Sequence, residues 1–116
     1  MKSRIVQTKI WRDGWVRNLG EHEKLIWLYL LTNEYVNIIH CFELESSDIA
    51  HFTGIPLDVV DAALAAFSAD NRIKRHKHYI YLVNAHKYEK YTGIRNEQAK
   101  QQILHEMPDD VRVWYE

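Results

Sequence analysis

The chain is 116 residues long, enough for one hydrophobic core and too little for two, which excludes a two-domain enzyme. Hydrophobic residues make up 47% and charged residues 27%, a balance that excludes wholesale disorder and collagen-like repeats. The formal net charge of −1 argues, as a total, against a generic polyanion binder, but the total hides a segregation.

Residues 1–19 carry five bases against Asp13 and stand at +4. Residues 20–70 carry nine acids against Lys24 and stand at −8, whereas residues 71–100 carry eight bases against two acids and stand at +6. Residues 101–116 return to −3. Blocks of opposite sign bear on partners more than on fold. The single cysteine, Cys41, excludes an intrachain disulfide and has no metal knuckle or redox motif around it. The first residues lack an apolar signal region, and the longest apolar run, residues 25–31, falls far short of a membrane span, so the expected location is the cytoplasm.

Taken in chain order, residues 21–32 read as a helix with Glu21 and Glu23 in the first turn, where they complement the macrodipole. Leu25, Ile26, Leu28, Tyr29 and Leu31 leave little polar circumference on it, so this helix is expected to be central or to meet a second chain. Residues 38–44 read as a short strand. Ser46 or Ser47 is expected to cap a helix that ends at Gly54, a residue suited to the left-handed position after a helix. Pro56 fits a first helical turn, and Leu57, Val60, Leu64 and Phe67 recur at helical spacing until Asp70 and Asn71 stop the run. The two helices joined through Thr53, Gly54 and Ile55 make a helix-turn-helix.

The period then changes to two. Residues 73–76 and 79–83 alternate as a β-hairpin turning at Lys77 and His78, with Ile80 and Leu82 on one side and Tyr79, Tyr81 and Val83 on the other. Helix, strand, helix-turn-helix and hairpin is the order of a winged helix, an α+β fold that is mainly helical with a small hairpin as its wing. Residues 96–107 read as a polar helix with Ala99, Ile103 and Met107 on one face, closed by Pro108. The expected division is a winged helix domain over residues 1–95, followed by a C-terminal helix and the start of a linker or second domain over residues 96–116.

These residues carry a family resemblance. Lys9-Ile10-Trp11, then the run from Asn18 to Asn33 with its Glu23-Lys24-Leu25 and Leu28-Tyr29-Leu30-Leu31-Thr32-Asn33, resembles the opening of phage replisome organisers and DnaD-like replication proteins. The likeness continues through Cys41-Phe42-Glu43-Leu44, Ile49-Ala50, Thr53-Gly54-Ile55, Val60, Leu64, Arg72-Ile73 and residues 84–88, and into Ile103-Leu104-His105-Glu106-Met107-Pro108. It covers roughly residues 8–110. His40 stands where many relatives have glycine, and Lys77-His78 lacks the usual wing glycine. The resemblance implies a winged helix domain that binds replication-origin DNA or helps to bring a helicase loader to it, in a phage or prophage protein. Members of the family are commonly longer, and in them this domain mediates oligomerisation.

The residues expected to contact DNA are Arg72, Lys74, Arg75, His76, Lys77, Lys87 and Lys90, interleaved with Tyr79, Tyr81 and Tyr88 as in a backbone binder. A solvated, edge-protecting hairpin is the plainer explanation of the same charges. The second helix of the pair offers Asp58, Asp61 and Asp70 and no base on its outward side, so it is not expected to read the major groove by itself.

A different class of function, protein docking or self-association as a homo-oligomer, is suggested by an aromatic surplus that includes Trp11, Trp15, Trp27 and Tyr29. A tryptophan-rich core accounts for it equally well. Helicase-loader recruitment, inhibition of host replication and transcriptional regulation remain alternatives on the same fold. No metal set completes itself around His76, His78 and His86, and no phosphate loop, nucleophile elbow or zinc-protease motif is present. Neither catalysis nor a cofactor is expected.

Overall fold

The computed structural model describes residues 3, 5–36, 40–83 and 94–115. It is about 60% helical, with one small antiparallel sheet. A 3-10 turn over Thr8–Arg12 leads into the short helix α1 (Gly14–Arg17), whose first N–H groups, those of Trp15 and Val16, donate to the Asp13 carboxylate. Helix α2 spans Glu21–Thr32, the range the sequence predicts. It buries Ile26, Trp27, Leu30 and Leu31 and ends where the Asn33 side chain donates back to the carbonyls of Tyr29 and Leu30.

Strand β1 (Cys41–Glu43) is followed by α3 (Ser46–Thr53) and α4 (Leu57–Ala69). The residue before α3 is Glu45, and no side chain caps the helix, so neither Ser46 nor Ser47 takes the expected capping role. Gly54 does end α3 in the left-handed region, at φ 76°. Pro56 lies just outside α4, where its missing N–H costs nothing. The two helices meet at 119°.

Strands β2 (Ile73–His76) and β3 (Tyr79–Leu82) form the predicted hairpin, and the sheet order is β1-β3-β2, antiparallel throughout. Pairing sets Ile73 opposite Leu82, Arg75 opposite Ile80 and Phe42 opposite Ile80 on one face. That face closes the main core with Ile49, Val60, Leu64 and Phe67. His40 and Lys77 both adopt left-handed backbone, at φ 57° and 55°, the conformation glycine enters most readily.

The other face carries Cys41, Lys74, His76, Tyr79 and Tyr81, and the end of the chain covers it. Helix α5 (Ile94–His105) is followed by α6 (Asp109–Arg112) and a 3-10 turn over Val113–Tyr115. Met107, Val111 and Trp114 pack there with Cys41, Tyr79 and Tyr81. The segment after Pro108 thus returns to the sheet, where the tyrosines of β3 offer it a second apolar surface. No single helix among the described residues is long and apolar enough to cross a membrane.

Candidate nucleic-acid interface

The hairpin carries three of the eight bases of the +6 block, Lys74, Arg75 and Lys77, with Arg72 just before it, and register divides them among different surroundings. Arg72 precedes β2 and turns toward the N-terminal segment. Its guanidinium carbon lies 4.6 Å from the ring centroid of Trp15, and Nη1 reaches the Asp13 carboxylate at 3.8 Å. Arg72 is therefore a corner of the fold, held by the N-terminal segment as well as lying beside the hairpin.

Lys74 and His76 share the sheet face that the C-terminal helices cover. Lys74 is half-buried, and the His76 ring lies 3.3 Å from the carboxylate of Asp110. His76 thus faces an acid of its own chain. The alternation that puts it beside Lys74 is legible in the sequence; the arrival of Asp110 is not, since 34 residues separate the two.

Arg75 and Lys77 remain. Both are exposed at the hairpin tip, and neither forms an ion pair with a described residue. Lys77 owes its outward position to the left-handed turn. Next to it, His78 lies 3.6 Å from Glu45, and the Tyr79 hydroxyl donates to Glu43 at 2.8 Å. That hydrogen bond, with burial second, pushes the Tyr79 hydroxyl up from its ordinary range. Lys87 and Lys90, the other expected contacts, lie outside the described residues.

The acidic expectation for α4 has a direct structural counterpart. Asp58 and Asp61 are exposed along it, and Asp70 at its end accepts the Trp15 indole N–H at 2.9 Å. The outward side of α4 between them is alanine and serine. It offers carboxylates, methyl groups and the one hydroxyl of Ser68, and no cation to attract phosphate.

Of the four aromatics expected to serve self-association, two are structural. Trp27 is 2% exposed, and Trp15 packs edge-to-face on it, ring centroids 4.8 Å apart, with Phe67 completing a three-ring cluster at 5.2 Å and 5.5 Å. Trp27 is enclosed because the N-terminal segment folds onto α2, while Trp15 stays partly exposed. Trp11, at 57%, is exposed. Tyr29 is half-buried and stacks on Phe52, a residue whose exposure the sequence hides, since it lies at helical spacing from buried Ile49.

Among the described residues, no group of three or more His, Cys, Asp or Glu side chains is placed to hold a metal ion. Comparison with protein-family models, with curated proteins and with solved structures finds no match for the chain.

Proposed function

We propose that this chain is a winged helix DNA-binding domain of a replication initiation protein of the phage replisome organiser type, acting in the cytoplasm and contacting duplex DNA through its hairpin. The observation that carries the reading is the division of charge between two neighbouring elements. Arg75 and Lys77 project from the tip without carboxylate partners among the described residues, while the outward side of α4 carries Asp58 and Asp61. Two helices at 119° beside an antiparallel sheet ordered β1-β3-β2 are compatible with a winged helix and support this reading. The likeness of residues 8–110 to replisome organisers supplies the replication context, with a helicase loader as a further partner.

In this mode the wing lies along the phosphate backbone and α4 keeps its carboxylates away from it. Affinity is then largely electrostatic and weakly dependent on sequence. The test is fluorescence anisotropy with a labelled duplex across a salt series. Binding should weaken steeply with salt, and Arg75→Gln with Lys77→Gln should flatten the slope of log K against log salt by about 2, since each phosphate that is no longer neutralised removes about 0.9. Salt-independent binding, or an unchanged slope in the double variant, overturns the reading.

A further inference from the structure

The N-terminal segment displays a tryptophan that the fold does not use. The turn over Thr8–Arg12 is a 3-10 helix, in which residues three apart share a side. Ile10, 2% exposed, takes the inward side and anchors the turn in the core. That leaves Trp11 on one outward side and the pair Lys9 and Arg12 on the other, all three exposed. Of the four tryptophans, Trp15, Trp27 and Trp114 each meet another aromatic ring, whereas Trp11 meets none among the described residues.

The cations beside that ring face solvent. Lys9, Arg12 and Arg17 are exposed, and none forms an ion pair with a described residue. Asp13, the one acid among residues 1–19, is committed elsewhere: it accepts the N–H groups of Trp15 and Val16 and faces Arg72. The segment is also held in place, because Val6, Trp15 and Leu19 pack against the main core on either side of the buried Ile10. A ligand therefore meets Trp11 on backbone that is already ordered, and binding does not have to order it.

We infer that Trp11, Lys9 and Arg12 form a binding site for single-stranded nucleic acid, in which an unpaired base stacks on the Trp11 indole and the two cations take the flanking phosphates. Every base has a face to stack, so the site is tolerant of sequence. In a duplex those faces are covered by neighbouring bases, and the ring then favours unpaired strands over paired ones. This goes beyond duplex contact through the hairpin and uses other residues. Arg72, which holds the N-terminal segment, stands at the root of β2, and Lys77 stands at the opposite end of that strand.

Oligo(dT) and oligo(U) of about 15 nucleotides test the site on the full chain, by anisotropy and by tryptophan emission. Wild-type emission should fall as a base stacks on Trp11, and Trp11→Phe should bind with most of that fall gone. Trp11→Ala should weaken binding about fivefold or more at an unchanged salt slope, and Trp11→Phe should recover most of the loss. Lys9→Gln with Arg12→Gln should instead flatten the slope of log K against log salt by about 1.4, since each phosphate contact on a single strand contributes about 0.7. All three side chains are exposed, and circular dichroism checks that the variants keep the fold. Heparin, a polyanion without bases, should bind Trp11→Ala as it binds wild type. Binding of either oligonucleotide that depends on Trp11 in this way supports the site, and the tighter of the two names its source, DNA or RNA. Equal affinity in Trp11→Ala and wild type, equal loss of heparin and oligonucleotide, or no binding of either strand at about 50 mM salt each overturns it. A Trp11→Ala variant that binds strands like wild type but sediments as a smaller species also overturns it, by assigning the ring to a protein contact. Arg75 and Lys77 are intact throughout, so failure here leaves the duplex reading standing, and failure of a duplex to bind leaves the Trp11 comparison readable.

Discussion

The guanidinium of Arg72 lies over the indole of Trp15 while that indole donates to Asp70 and Asp13 receives Arg72 from the side. Four residues from three parts of the chain thereby tie the N-terminal segment to the end of α4 and the start of β2. The pair is only partly shielded from water, so its worth lies more in ring contact and packed methylenes than in Coulomb attraction. Arg72→Ala should destabilise the fold by about 1–2 kcal/mol in urea denaturation. At a temperature where the variant is folded, DNA affinity and its salt slope should stay close to wild type. A large drop in slope with unchanged stability would return Arg72 to the DNA surface.

Lys77 holds two roles that pull apart. Its left-handed backbone at φ 55° is strained for a side chain with a Cβ, whereas its amine stands at the exposed tip. Lys77→Gly should therefore raise stability by about 1 kcal/mol while weakening DNA binding. Lys77→Gln, which keeps the strain and drops the charge, should weaken binding to the same extent with no gain in stability. Thermal melts and anisotropy on the two variants separate the effects; a glycine variant no more stable than wild type contradicts a strained turn.

Local chemistry is legible in this sequence and distant pairing is not. Helix α2 follows from its apolar run and first-turn acids, the end of α3 from Gly54, and the hairpin from the change to a period of two around Ile80 and Leu82. The charge blocks also point correctly to acids along the exposed side of α4. What fails depends on which segments meet. Arg72 reads as part of a basic run until Trp15 and Asp13 arrive from about sixty residues away, and His76 reads as exposed until Asp110 closes on it. Trp27 reads as a docking residue because nothing local says that Trp15 and Phe67 enclose it. The return of Val111 and Trp114 to the sheet is hidden for the same reason, being specified by Tyr79 and Tyr81 on another element.

Alkaline pH should weaken the fold through its tyrosines. The hydrogen bond to Glu43 raises Tyr79, and burial raises Tyr81 and Tyr29, each above the ordinary value of 10.0. A group raised in the folded state contributes stability that is complete below its unfolded pKa and lost as pH climbs through its folded one. Stability should therefore hold up to about pH 10 and decline above it. Tyrosinate absorbance should rise at higher pH in the folded protein than in urea. Tyr79→Phe should remove part of the difference, and coincident titration curves in the two states would refute the assignment.

The C-terminal segment is the last testable element, and Cys41 reports on it. Val111 is fully buried against the sheet, two residues from exposed Val113, and Cys41 lies in the same cluster with no surface of its own. If these side chains hold the segment down, Val111→Ala should cost about 2 kcal/mol from reduced burial and the cavity left behind, while Val113→Ala should change stability by less than about 0.5 kcal/mol. Opening of the segment also uncovers the thiol. Labelling of Cys41 by a thiol reagent under native conditions should be slow in wild type and in Val113→Ala, and faster in Val111→Ala by a factor that tracks the stability of the segment rather than of the whole fold. Equal labelling rates in Val111→Ala and wild type, with unfolding free energies also equal, would show that residues 107–114 do not hold the sheet face closed.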